Sequence, residues 1–245
     1  LMEFPLGVFS IALATVILPS LSARHAEQST EVFSATLDWA LRMLIVIGTP
    51  AMVGLFVLSG PMVVSIFAYG RTGAFDVAMI QIALMAYALG FMGFSLVKVL
   101  VPGYFSRQDT RTPVKYGIIA VTASLIMNVA FVGALVGIDH HAPHIGLALA
   151  TSLGAFVNAG LLYGGLRRQG VFNPLPGWGK LSLQVLLASL AMSALLWWQA
   201  GDTQSWMNLE LIQRVTRLAL MILAGAATYF CLLYTSPSPR DQAKS

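Results

Sequence analysis

Residues 88–115 read ALGFMGFSLVKVLVPGYFSRQDTRTPVK, and this stretch decides the fold. Lys98 interrupts an apolar run, and a cluster of charges follows from Arg107. On a soluble helix a lone lysine simply marks the wet face. In a bilayer an ammonium costs at least ~2.5–3.5 kcal/mol at the helix centre on insertion scales. Composition separates the two cases. Hydrophobic residues make up 57% of the 245 and charged residues 10%, with a mean hydropathy of +0.78. Soluble domains carry roughly 25% charge, so this chain has too little charge to cover a surface facing water. It reads as an all-α, polytopic membrane helix bundle. No run of alternating polarity supports a β-barrel. The net charge of +4 comes from basic residues placed between apolar runs, which points to orientation in a bilayer and away from nucleic acid.

A span needs about 20 apolar residues. Seven segments qualify: 1–21, 40–67, 78–104, 114–137, 145–165, 180–200 and 213–234. The second is long and contains Pro50 and the SGP at 59–61, so it is expected to break into a re-entrant or interfacial turn. The stretch STEVFSATLDWALRM reads as an amphipathic lead-in to that span, with Val32, Leu37, Ala40 and Leu44 on one face and Ser29 or Thr30 as N-cap. VFNPLPGWGK, residues 171–180, reads as a rigid loop that carries Trp178 at headgroup level. The chain opens on apolar residues at Leu1 and reads as a fragment lacking its N-terminal part. Residues 235–245, TSPSPRDQAKS, resemble translated adapter read-through and read as a non-native tail.

The basic residues set the topology. Arg24, Arg42, Arg107, Arg111, Lys115, Arg167, Arg168 and Lys180 lie on one side of the alternating connections, and Arg71, Arg214 and Arg217 on the other. The positive-inside rule places the richer side, and with it the C-terminus, in the cytoplasm. Arg214 and Arg217 are discordant and are expected to snorkel to the outer headgroups.

Few residues within the spans can carry chemistry. Glu3 and Lys98 are fixed charges there, with Asp38 and Arg42 at an edge. Lys98 lies on the order of 10 Å from the cytoplasmic end of its helix at 1.5 Å per residue. Two readings therefore stay open for it, snorkelling or lining a watery cavity. Thr122, Ser124, Asn128, Thr151, Ser152 and Asn158 are mostly interhelical hydrogen-bonding residues; the Asn128 amide oxygen also suits a small cation. Asp139, His140, His141 and His144 read as a solvated loop, because Pro143 disfavours the helix a metal pair would need. Cys231, the single cysteine, reads as a small lipid- or core-facing residue. No nucleophile elbow, HExxH, Walker loop or catalytic carboxylate pair is present, so the chain does not read as an enzyme.

Several longer strings carry a family resemblance. LMEFPLGVFSIALATVILPSLS at the start, FAYGRTGAFD at 67–76, VKVLVPGYFSRQDTRTPVK at 97–115 and MNVAFVG at 127–133 together resemble the MurJ/MviN lipid II flippase family, in the multidrug/oligosaccharidyl-lipid/polysaccharide exporter superfamily. The resemblance implies the C-terminal half of a fourteen-helix protein. Residues 1–168 would form most of the second lobe, helices eight to twelve. Residues 169–234 would form two groove helices, thirteen and fourteen. The implied activity is alternating-access transfer of lipid II, an undecaprenyl-diphosphate-linked peptidoglycan precursor, from the inner to the outer leaflet. The fragment alone is expected to be inactive. The nearest rival is a polysaccharide-lipid or multidrug exporter of the same superfamily. The resemblance makes Lys98 and Glu3 substrate-facing cavity residues. It also implies Asn128 and Thr151 as candidate ligands of a coupling sodium ion, with Val132 standing where an acid would sit one turn later. No cofactor is implied beyond sodium or membrane-potential coupling. Expected partners are lipid II, membrane lipids and the missing N-terminal half, with no nucleic acid. The expected location is the bacterial cytoplasmic (inner) membrane.

Overall fold

The computed structural model describes residues 1–3, 6–7, 15–16, 18–21, 30–70, 72–137 and 144–235, and among these it contains helices and no strand. The helices in chain order are α1 (Thr30–Val57), α2 (Ser59–Phe67), α3 (Ala74–Phe105), α4 (Arg111–Gly137), α5 (His144–Arg168), α6 (Trp178–Ala200), α7 (Thr203–Met207) and α8 (Leu211–Thr235). Six of them, all but α2 and α7, are long and apolar enough to cross a membrane. They correspond to the second to seventh expected spans. Within the first expected span, residues 15–16 and 18–21 are helical. Arg24, Ser29, Arg71, Asp139, His140, His141 and the 236–245 tail lie outside the described residues.

The expected break at Pro50 is corrected: Pro50 lies inside α1 and does not end it. Membrane helices tolerate proline where the freed backbone groups find other partners. The interruption falls at Leu58, where the backbone turns at φ −89° and ψ 9°. The hydrogen-bond ladder continues across it, from Leu58 N–H to Gly54 O and from Met62 N–H to Leu58 O, each at 2.9 Å. The segment is thus a kinked helix and not a re-entrant loop. The lead-in to α1 is continuous with the span. Its buried face is Phe33, Leu37, Ala40, Leu41 and Leu44, spaced at i, i+4, i+7, i+8 and i+11. Val32, expected on that face, is 40% exposed.

The chain divides into two compact units. The first comprises Leu1–Met52 and Ile82–Pro176. Small residues let its helices approach closely, as is usual where lipid supplies no hydrophobic drive between helices. Ser152 Oγ donates to Ala86 O at 2.8 Å, and a Cβ on Gly90 would lie 2.9 Å from Ser152 Cα. One turn further along α3, a Cβ on Gly93 would meet Phe156 N at 3.0 Å. Tyr104, fully buried, closes the α3–α5 contact by donating its hydroxyl to Leu162 O at 2.7 Å. We expect Gly90→Val to strain α3 away from α5 by about 1–3 kcal/mol or more. The readout is a lower unfolding midpoint in detergent, and an unchanged midpoint would contradict the close approach.

In the same unit α4 and α5 pack against each other and run antiparallel. Gly146 faces Val132, Gly154 faces Ser124, and Gly165 faces Tyr116. The α3–α4 turn is held by Arg107, which donates to Gln169 Oε1 at 2.6 Å, and by Asp109, which accepts from Thr112 N–H at 3.0 Å. Hydrogen bonds from the Thr112 hydroxyl and backbone hold the Asp109 carboxyl below its ordinary range. A depressed carboxyl pKa stabilises the turn above the unfolded value. That contribution is lost as pH falls through the folded one.

The second unit comprises Val53–Gln81 and Gly177–Ser245. Gly177, at φ +101°, opens α6 in a backbone region that side-chain-bearing residues rarely adopt. α8 packs along α6, where Gly225 lets Leu196 seat against the helix backbone. Trp206 on α7 is fully buried and donates its indole N–H to Ala200 O at 2.7 Å.

Candidate functional site

Lys98 sits seven residues before the end of α3, flanked by buried Val99 and Leu100. It is half-buried and, among the described residues, its ammonium makes no hydrogen bond or ion pair. This is an unusual state for a cation at such a position. A structural lysine in a span is normally paired or reaches the interface. Glu3 is exposed at the start of the chain, and no ion pair joins it to Lys98. The two candidate substrate residues are therefore present as separate groups.

Asn128 and Thr151 both lie on the α4–α5 pair. Ser124 Oγ donates to Ala150 O at 3.2 Å, which places Asn128 one turn along α4 and Thr151 beside Ala150. The Asn128 Oδ1 atom is buried and has no partner, while Thr151 donates its hydroxyl to Leu147 O of its own helix at 2.7 Å. Asn128 thus keeps a free buried acceptor, while the Thr151 hydroxyl is committed as a donor to its own helix. Asn158 Oδ1, on the same α5, is a second buried and unpartnered amide oxygen.

Two charged arrangements escaped the sequence reading. Asp38, 1% exposed, accepts from Arg42 Nε and from Leu175 N–H at 3.1 Å. Arg42 also donates to Leu175 O and Pro176 O, both at 2.9 Å. Ser34 completes the grip, accepting from Asn173 N–H at 2.8 Å and donating to Asn173 O at 3.0 Å. One polar stripe of α1 therefore clamps the proline loop before α6. The Asp–Arg spacing of i, i+4 was the available signal.

Arg214 is the other. It is 8% exposed and does not snorkel. Its Nε donates to Leu209 O at 2.9 Å, Nη2 to Met207 O at 2.8 Å, and Nη1 to Val64 O and Ala68 O at 3.3 and 3.2 Å. These carbonyls lie at or just beyond the C-terminal ends of α2 and α7, where backbone acceptors lack helical partners and the dipole favours a cation. Arg217 donates to Gln199 O at 2.9 Å and lies over the Trp206 ring at 4.7 Å. The expected snorkelling is corrected for Arg214, whose guanidinium the protein itself solvates.

Six long apolar helices with isolated charges in or beside them define a multi-pass membrane protein. A family model described as "Lipid II flippase MurJ" matches residues 1–216, and the chain belongs to that family. It is 41% identical over 233 residues to a Vibrio cholerae protein named "Probable lipid II flippase MurJ", covering 95% of this chain and 43% of the relative. Against a Burkholderia cenocepacia protein named "Lipid II flippase MurJ" it is 36% identical, covering 96% of this chain and 44% of the relative. The chain thus spans less than half the length of these curated relatives. Its fold matches a solved structure titled "Lipid II flippase MurJ, inward closed conformation", with a TM-score of 0.69 and 24% identity over 95% of this chain and 45% of the other.

Proposed function

We propose that the full-length protein moves lipid II from the inner to the outer leaflet of the bacterial cytoplasmic membrane, with the C-terminus of this chain in the cytoplasm. Residues 1–168 then contribute to the second lobe of a two-lobed transporter, and residues 169–234 supply two groove helices. The observation that carries this reading is Lys98, an ammonium in an apolar span with no partner among the described residues, in a chain whose relatives bear the flippase name.

The physics of the substrate fits such a residue. A diphosphate and sugar-peptide head cannot enter hydrocarbon without losing its hydration. A cation on a flexible stem replaces part of that hydration and can follow a moving phosphate. Glu3 is exposed and short-stemmed; its role is to hold cations contributed by the other lobe. Rocking of the lobes then exposes the cavity to each side in turn. Asn128 and Thr151 would hold two faces of a sodium ion if one couples the cycle.

The test is rescue of a flippase-depleted bacterium by the full-length protein, with lipid II at the outer face measured directly. Restored growth and outer-face lipid II are expected. Residues 1–234 alone are expected to rescue neither. Rescue of growth by the full-length protein without outer-face lipid II would refute the assignment of substrate.

A further inference from the structure

The end of the α6–α8 pair nearest α7 carries a groove of about 520 Å³ lined by Trp198, Gln199, Arg217, Leu220, Met221 and Ala224. Its two ends differ in chemistry. At one end Arg217 is half-buried, with its guanidinium held over the fully buried Trp206 ring and one N–H given to Gln199 O. Among the described residues its remaining N–H groups have no partner, and no acidic residue lines the groove. The other end runs along α8 through Leu220, Met221 and Ala224, at i+3, i+4 and i+7 from Arg217, so one helical stripe passes from cation to hydrocarbon. Trp197 and Trp198, 78% and 81% exposed, stand beside it near the end of α6. Paired tryptophans at a span terminus mark the depth of the lipid headgroups.

We infer that this groove holds a membrane phospholipid with a net-negative headgroup. Its phosphodiester sits on the free N–H groups of Arg217, and one acyl chain lies along Leu220, Met221 and Ala224. A planar guanidinium with unused donors, pinned on an aromatic ring at headgroup depth, matches a phosphate oxygen pair. The apolar stripe below it matches a chain that begins at that same phosphate. The stacking on Trp206 and the bond to Gln199 fix the guanidinium in advance, so little side-chain freedom remains to be lost on binding. This ligand is a resident lipid of the membrane and is independent of the transported one.

The experiment uses the purified full-length protein in phosphatidylcholine nanodiscs doped with a minor fraction of dibrominated phosphatidylglycerol or dibrominated phosphatidylcholine. Bromine quenching at Trp198 is taken as the difference between the protein and its Trp198→Phe variant. At low salt the glycerol lipid is expected to quench about two- to five-fold more effectively, the preference a single well-placed basic residue confers. High salt and Arg217→Gln should each bring the two lipids toward parity. Ala224→Phe fills the chain end and keeps the cation, so it should lower quenching by both lipids. Equal quenching in the wild type overturns the inference. So does a preference that survives Arg217→Gln, or full quenching in Ala224→Phe. Should Arg217→Gln fail to fold, the salt and Ala224→Phe arms still decide.

Discussion

Full-length protein carrying Lys98→Ala inserts normally, reaches wild-type abundance in the membrane and fails to rescue a flippase-depleted strain; this is the first expected result. The stability part follows from the structure. Lys98 makes no hydrogen bond or ion pair among the described residues, so alanine removes no contact that holds α3. It also removes part of the insertion cost of a charge, which reaches ~2.5–3.5 kcal/mol only at the helix centre. With no bond among the described residues, the Lys98 ammonium is open to a group from outside this chain, which in the proposed cycle is the substrate diphosphate. Lys98→Arg keeps the charge but changes a point donor into a planar fork, so partial rescue is expected. Normal rescue by Lys98→Ala would remove Lys98 from the substrate path.

The second large effect lies in the other compact unit. Arg214→Leu should lower the unfolding midpoint in detergent by about 10 °C, from about 3–5 kcal/mol of lost stability at roughly 2–4 °C per kcal/mol. Four backbone carbonyls accept from this one guanidinium, at Val64, Ala68, Met207 and Leu209. Leucine fills the volume but donates nothing, so the carbonyls at the ends of α2 and α7 are left without that donor. Arg214→Lys should recover part of the loss, because an ammonium has three donors and cannot reach all four acceptors at once. Arg217→Gln breaks a single backbone bond and should cost much less. A midpoint unchanged in Arg214→Leu would mean that these carbonyls are satisfied by something else.

The contrast between Lys98 and Arg214 explains how far the sequence could be read. Span positions depend on summed apolarity, a local quantity, and the six long helices fell where hydropathy put them. The membrane class and the family strings were legible for the same reason, since both are carried by consecutive residues. The state of a charge is different, because it depends on which carbonyls or carboxylates arrive from distant segments. Lys98 and Arg214 look alike in sequence, each a cation within or beside an apolar run. Only the fold shows that Arg214 is bonded four times and that Lys98, among the described residues, is not bonded at all. Counting basic residues by loop treats Arg214 as a topological marker, whereas its charge is solvated by the backbone carbonyls of Val64, Ala68, Met207 and Leu209. Pro50 misled for a related reason. Proline removes one donor, but its effect on a helix depends on neighbours that sequence does not display. For the candidate site, residue identities could be read but their relations could not, and the unpartnered Asn128 oxygen became visible only once α4 and α5 were placed together.

The clamp between α1 and the proline loop also bears on how the protein is made. Asp38 and Leu175 are 137 positions apart in the chain. At about 5–20 residues per second of synthesis, the helix waits on the order of ten seconds before its loop exists. During that interval Asp38 and Arg42, one helical turn apart, can neutralise each other, so this stretch of α1 presents no unmatched charge to the lipid around it. When the loop emerges, the same pair already points its spare donors and acceptors outward. Docking of residues 173–176 then marks the moment when the first compact unit has all of its chain.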